Sequence, residues 1–159
     1  MSINLILKKS IANSLTIFNL ILGFSSIILI GLSLIDDCYY IDLACLLIFI
    51  ATLFDVCDGK VARKLGTSGD FGKQIDSLAD VVSFCLVPSF LLFFYFYNIL
   101  GDWSLYTILF SSFPLVFGAI RLAKFNTSSD DIDKKSYYLG LPTPANAIFI
   151  CSSILLIMD

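Results

Sequence analysis

Four stretches of this chain, residues 11–35, 81–100, 103–120 and 139–158, contain no Asp, Glu, Lys or Arg. Each reaches the roughly 18 to 20 apolar residues with which a helix crosses a bilayer, where backbone polar groups find partners only inside a helix or a closed barrel. A fifth run, Leu43–Phe54, is shorter, but it extends backward through residues 38–42 and forward into charged sequence. The chain is therefore expected to be an all-α integral membrane protein with about five transmembrane helices. Composition agrees: 58% of its 159 residues are hydrophobic, more apolar side chain than a soluble domain of this size can bury.

Basic residues near span ends stay on the cytoplasmic side, and all ten here can be placed on one side. Lys8 and Lys9 precede the first span; Lys60, Arg63, Lys64 and Lys73 lie between the second and third; Arg121, Lys124, Lys134 and Lys135 lie between the fourth and fifth. The opposite side holds only Asp36, Asp37, Asp42, Asp102 and Asp159. The N-terminus is thus expected in the cytoplasm. A cleaved signal peptide is the competing reading of the first span, but that run is too long and no convincing small-residue cleavage site follows it. Tyr39, Tyr40, Tyr95, Tyr97, Trp103 and Tyr106 gather near the expected outer span ends, as interfacial belts do. No repeat, low-complexity tract or linker divides the chain, so residues 1–159 are expected to form one membrane domain, with the polar stretch 126–135 a solvated loop.

Against this background four aspartates stand at fixed offsets, in Asp55-x-x-Asp58-Gly59-x-x-Ala62-Arg63 and Gly72-x-x-x-Asp76-x-x-x-Asp80. If the segment is helical on both sides of a turn, offsets of three and four put each pair on one helix face, and two facing pairs make a metal cage. The plain alternative is a solvated charged loop, since residues 55–80 hold five acids and four bases. Position argues against it. Asp55 directly follows one apolar run and Asp80 directly precedes another, so both lie at the membrane edge, where an unpaired carboxylate costs up to roughly 3 kcal/mol. Hard divalent cations compensate such groups, and an all-carboxylate site favours Mg²⁺ or Mn²⁺ over zinc. Gly59 and Ala62 allow close approach of a bulky ligand, and Arg63 can fork onto phosphate.

Other chemistry is scarce. Histidine is absent, which removes the commonest general base and the usual zinc ligand. The five cysteines form no C-x-x-C pair and read as small buried hydrophobes, Cys57 included, because it falls on a different helical face from its flanking aspartates. A basic rim suits anionic headgroups, whereas no soluble basic domain or stacking platform is present for nucleic acid.

Asp55, Asp58, Gly59, Ala62, Arg63, Gly72, Asp76 and Asp80 meet at every position the pattern D-x-x-D-G-x-x-A-R-x8-G-x-x-x-D-x-x-x-D, and in this the chain resembles the CDP-alcohol phosphotransferases. That resemblance implies a helical membrane enzyme that moves a phosphatidyl or related group from a CDP-linked donor to an alcohol, releases CMP and uses two divalent cations. Ser68-Gly69-Asp70-Phe71-Gly72 and Asp76 to Phe84 resemble the phosphatidylserine synthase branch; phosphatidylglycerophosphate synthases typically carry Pro and Lys where Ser77 and Val81 stand. Asn13-Ser14-Leu15-Thr16 with Asn19 and Gly23-Phe24, Arg121 to Asn126, and Gly140 to Ala145 match the same branch. Two residues depart from it, Ala12 for a usual proline and Cys85 for a usual glycine. The family usually has six spans, so five imply a short member or a chain lacking a final span.

The resemblance implies donor CDP-diacylglycerol, acceptor L-serine, a homodimer surrounded by membrane lipid, and a prokaryotic cytoplasmic membrane with the site facing the cytoplasm. It assigns Asp55, Asp58, Asp76 and Asp80 to two Mg²⁺ or Mn²⁺ ions, Asp80 to the proton of the acceptor hydroxyl, and Asp58, Gly59, Ala62 and Arg63 to the nucleotide, with Asn13 and Thr16 beside them. Gly72, Arg121 and Lys124 are the candidates on the substrate side. For Arg121 two roles stay open, a partner for the serine carboxylate or an ordinary positive-inside anchor; Lys124 leans toward the anchor. Another acceptor, glycerol phosphate among them, is the alternative activity. A divalent-cation transport subunit is the alternative class, although no run of charges leads to the far side of the membrane.

Overall fold

The uncharged runs fold as helices. The computed structural model describes residues 3–34, 39–65, 70–101, 105–128 and 141–158, with side chains placed for 14–34, 40–57, 71–101, 105–127 and 141–158. In chain order the helices are α1 (Ile3–Leu32), α2 (Tyr39–Leu65), α3 (Asp70–Asp80), α4 (Val87–Leu100), α5 (Leu105–Ser111), α6 (Phe113–Ser128) and α7 (Thr143–Met158). Residues Val81–Leu86 form a π-helical segment that joins α3 to α4 without a break.

Four stretches, Ser14–Leu32, Tyr40–Cys57, Phe71–Leu100 and Leu105–Thr127, are long and apolar enough to cross a membrane, and the protein is an all-α membrane protein. Two spans differ from the sequence expectation. The third begins near Phe71 rather than Val81, so Asp76 and Asp80 belong to the spanning helix itself. The last helix starts only at Thr143, and its 16 residues reach about 24 Å, short of a ~30 Å hydrocarbon core. Pro142 and Pro144 explain the start, because proline lacks an N–H and fits best in a first turn; Asn146 N–H closes that turn on the Pro142 carbonyl at 3.1 Å.

Proline also shapes the two middle spans. At the end of the π segment Val87 N–H donates to Val82 C=O, five residues back, and Pro88 follows with no N–H to continue the ladder. In the fourth span Pro114 leaves the helix broken at Ser112, between α5 and α6. Ser89 repairs that break from the neighbouring helix: its Oγ accepts the Leu115 N–H at 3.0 Å. Gly101 ends α4 in the left-handed region, φ 66°, with its N–H on the Tyr97 carbonyl at 2.9 Å.

Lipid offers no hydrophobic drive between helices, so packing rests on small residues and interhelical hydrogen bonds. Ser26 Oγ lies 3.1 Å from both the Leu22 and the Ala44 carbonyls, joining α1 to α2. Ser83 Oγ donates to the Asn19 carbonyl at 3.0 Å, joining the π segment to α1. At that crossing a Cβ on Gly23 would lie 2.9 Å from the Ser83 Cα. Gly23→Ala should therefore destabilise by about 1–3 kcal/mol through overpacking. Gly31→Ala, which meets nothing within 4 Å, should not. Thermal unfolding in detergent compares the two, and equal melting temperatures would contradict the close crossing.

The buried core runs through Ile30, Ile41, Ile48, Phe84, Leu91, Phe94, Ala147 and Ile154. Cys45, Cys85 and Cys151 are buried as expected, the first and last within this core with their thiols facing each other across α2 and α7, whereas Cys57 is exposed. Cys38 lies outside the described residues. Leu53, Phe117, Phe149 and Leu156 are among many large apolar side chains on the outer surface, where lipid tails replace the water of a soluble protein.

Candidate metal and phosphoryl-transfer site

Asp55 sits on α2 immediately after its apolar stretch, and Asp76 and Asp80 sit one turn apart on α3, so the carboxylates project toward each other across two helices. One oxygen from each of the three can be chosen so that all lie within 4.8 Å of one another. All three residues are half-buried. The helices on both sides of the motif are those the spacing required, with residues 66–69 between them outside the described part.

Carboxylates this close repel by about 3 kcal/mol per pair at an effective dielectric of 20. Arg121 on α6 brings one positive charge to bear on Asp80. One oxygen, Asp80 Oδ1, is buried without a hydrogen-bond partner among the described residues. A cluster of hard oxygen donors, in excess of nearby positive charge and with a buried acceptor unsatisfied, fits a divalent cation.

Thr16 on α1 is buried, and Gly72 lies half-buried on α3 one turn before Asp76. The side chains of Asn13, Asp58, Ala62 and Arg63, and the surroundings of Gly59, lie outside the described residues. The two basic candidates part company. Arg121 is half-buried with its charge reaching Asp80, and its Nε is buried without a hydrogen-bond partner among the described residues. Lys124 is exposed.

Two features of the site were not read from the sequence. The π segment begins directly after Asp80, and its signal was Pro88, eight residues on. Asn126 Nδ2 donates to Ser77 Oγ at 2.8 Å, tying α6 to α3 beside Asp76. Ser77 Oγ in turn lies 3.0 Å from the Lys73 carbonyl.

A family model described as CDP-alcohol phosphatidyltransferase matches residues 9–159. The chain is 38% identical over 145 residues to a CDP-diacylglycerol–serine O-phosphatidyltransferase of Helicobacter pylori, covering 91% of this chain and 60% of that protein. It is 36% identical over 141 residues to the enzyme of the same name from Methanocaldococcus jannaschii, covering 89% and 58%. To an archaetidylserine synthase of Methanothermobacter thermautotrophicus it is 38% identical over 111 residues, covering 69% and 45%. The chain thus spans about 60% or less of the length of these curated relatives. With a match over residues 9–159, and three aspartates of the motif, Asp55, Asp76 and Asp80, drawn together from two helices, the chain belongs to the CDP-alcohol phosphatidyltransferase family.

Proposed function

We propose that this chain forms one membrane domain that transfers the phosphatidyl group of CDP-diacylglycerol to L-serine, yielding phosphatidylserine and CMP, at the cytoplasmic face of a prokaryotic membrane. The convergence of Asp55, Asp76 and Asp80 within 4.8 Å carries the reaction class. The names of the relatives, and Ser77 and Val81 where glycerol phosphate enzymes typically carry Pro and Lys, support serine. The grouping of every basic residue toward one set of span ends supports the cytoplasmic face.

Asp55, Asp58, Asp76 and Asp80 would hold two Mg²⁺ or Mn²⁺ ions, which when bound neutralise charge on the diphosphate and on the departing phosphate. The serine Oγ attacks the β-phosphorus; an Oγ–P bond forms, the P–O bond to the bridging oxygen breaks, and CMP leaves with that electron pair. Asp80 takes the hydroxyl proton, for which a carboxylate oxygen not already hydrogen-bonded is suited. Arg121 holds the serine carboxylate, its fork matching a planar anion. Arg63 takes a phosphate, and Asp58, Gly59, Ala62, Asn13 and Thr16 surround the cytidine nucleotide. Gly72 leaves room on the substrate side, and Lys124 anchors the inner end of α6 to anionic lipid. The enzyme works as a homodimer.

The test is CMP release by protein purified in detergent, supplied with CDP-diacylglycerol, Mg²⁺ or Mn²⁺, and serine, glycerol 3-phosphate or inositol in turn. Serine alone is expected to support release. Release with glycerol 3-phosphate and not serine would overturn the acceptor while retaining the reaction class; metal flux without any release would favour the transport alternative.

A further inference from the structure

Along the seam between α6 and the Asp70–Leu100 helix, three interactions, two by contact and one by charge, occur in antiparallel order. A Cβ on Gly118 would collide with the Cys85 sulfur, so the two helices meet closely there. Arg121 acts on Asp80 and also on Cys85. Asn126 Nδ2 donates to Ser77 Oγ at 2.8 Å. Arg121 is therefore bracketed by a steric pin toward the membrane interior and a hydrogen-bonded pin toward the aqueous end. Such bracketing matters because a long side chain loses rotamer freedom when it binds, and a guanidinium binds a carboxylate well only in a restricted geometry. Its Nε is buried with no hydrogen-bond partner among the described residues, which leaves a donor free within electrostatic reach of Asp80.

We propose that Asn126 is a positioning residue for the acceptor: its bond to Ser77 holds the end of α6 on α3 and keeps Arg121 beside Asp80 in the orientation that receives the serine carboxylate. This rests on the role given to Arg121 above. Ser77 then does more than mark a branch. A proline there has no hydroxyl to receive Asn126, and α6 would lose this pin.

Asn126→Leu and Ser77→Ala are each expected to raise the KM for serine about threefold to tenfold, the effect of one hydrogen bond. The kcat at saturating serine and the KM for CDP-diacylglycerol should stay within about twofold of the unmodified values. Because the bond between Asn126 and Ser77 is lost in either variant, the double variant should raise the KM by less than the product of the two single effects. Ser77→Thr, which keeps the hydroxyl, should restore the KM. An unchanged serine KM in Asn126→Leu, while Arg121→Ala loses saturation by serine, would overturn the pin and leave the acceptor assignment standing. Should the unmodified protein use no serine, the acceptor assignment falls and the pin is read without turnover. Nitroxide labels at the exposed Gln74 and Thr127 then report the α3–α6 distance. A broader distribution in Asn126→Leu supports the pin, and an unchanged one overturns it.

Discussion

Asp80→Asn is expected to slow CMP release by about a thousandfold while CDP-diacylglycerol still binds. The substitution keeps the shape of the side chain and removes its ability to take a proton, and a positioned general base contributes roughly 10²–10⁴ in rate. Asp80 is the member of the cluster with a buried oxygen lacking a hydrogen-bond partner among the described residues, and it lies where the Arg121 charge reaches. Turnover with serine and binding of the donor are measured on the same preparation. Normal turnover would exclude Asp80 as the base. Loss of donor binding together with turnover would make it a metal ligand first.

Removing divalent ions with a chelator should abolish CMP release, and Mg²⁺ or Mn²⁺ should restore it. The companion variant is Asp55→Asn, since Asp55 is the cluster's carboxylate from the opposing helix. The variant removes one full charge of attraction for a divalent ion, worth at least about 3 kcal/mol at an effective dielectric of 20, so the metal concentration for half-maximal rate should rise at least about a hundredfold. Excess metal should recover much of the activity in Asp55→Asn. It should recover none in Asp80→Asn. Turnover that continues unchanged in chelator would remove divalent ions from the chemistry altogether.

Much of this was legible in the residues because it is local. An uncharged run such as 11–35 has no alternative in lipid to a helix, and the offsets Asp55/Asp58 and Asp76/Asp80 acquire a common face as soon as the backbone is helical. The motif at residues 55–80 also pointed to the family that residues 9–159 match. What proline does to its neighbours was harder to read. Pro88 and Pro114 are evident in the sequence, but the π segment at Val81–Leu86 and the repair of the Pro114 break by Ser89 depend on which side chains lie opposite. Composition gives the last span 20 residues, whereas the helix begins only at Thr143, because hydropathy does not register where a proline pair stops the hydrogen-bond ladder.

By itself, then, the sequence determined the membrane class, the helical spans and the spacing of the aspartates, each a property of residues within a few turns of one another. Tertiary structure alone decided that Asp55 meets Asp76 and Asp80, that Arg121 is half-buried within electrostatic reach of Asp80 while Lys124 is exposed, and that Cys85 fills the space Gly118 leaves. Those outcomes depend on the rotation of each helix about its axis and on how closely two backbones approach. Both are set by contacts between residues far apart in the chain, which no local pattern encodes.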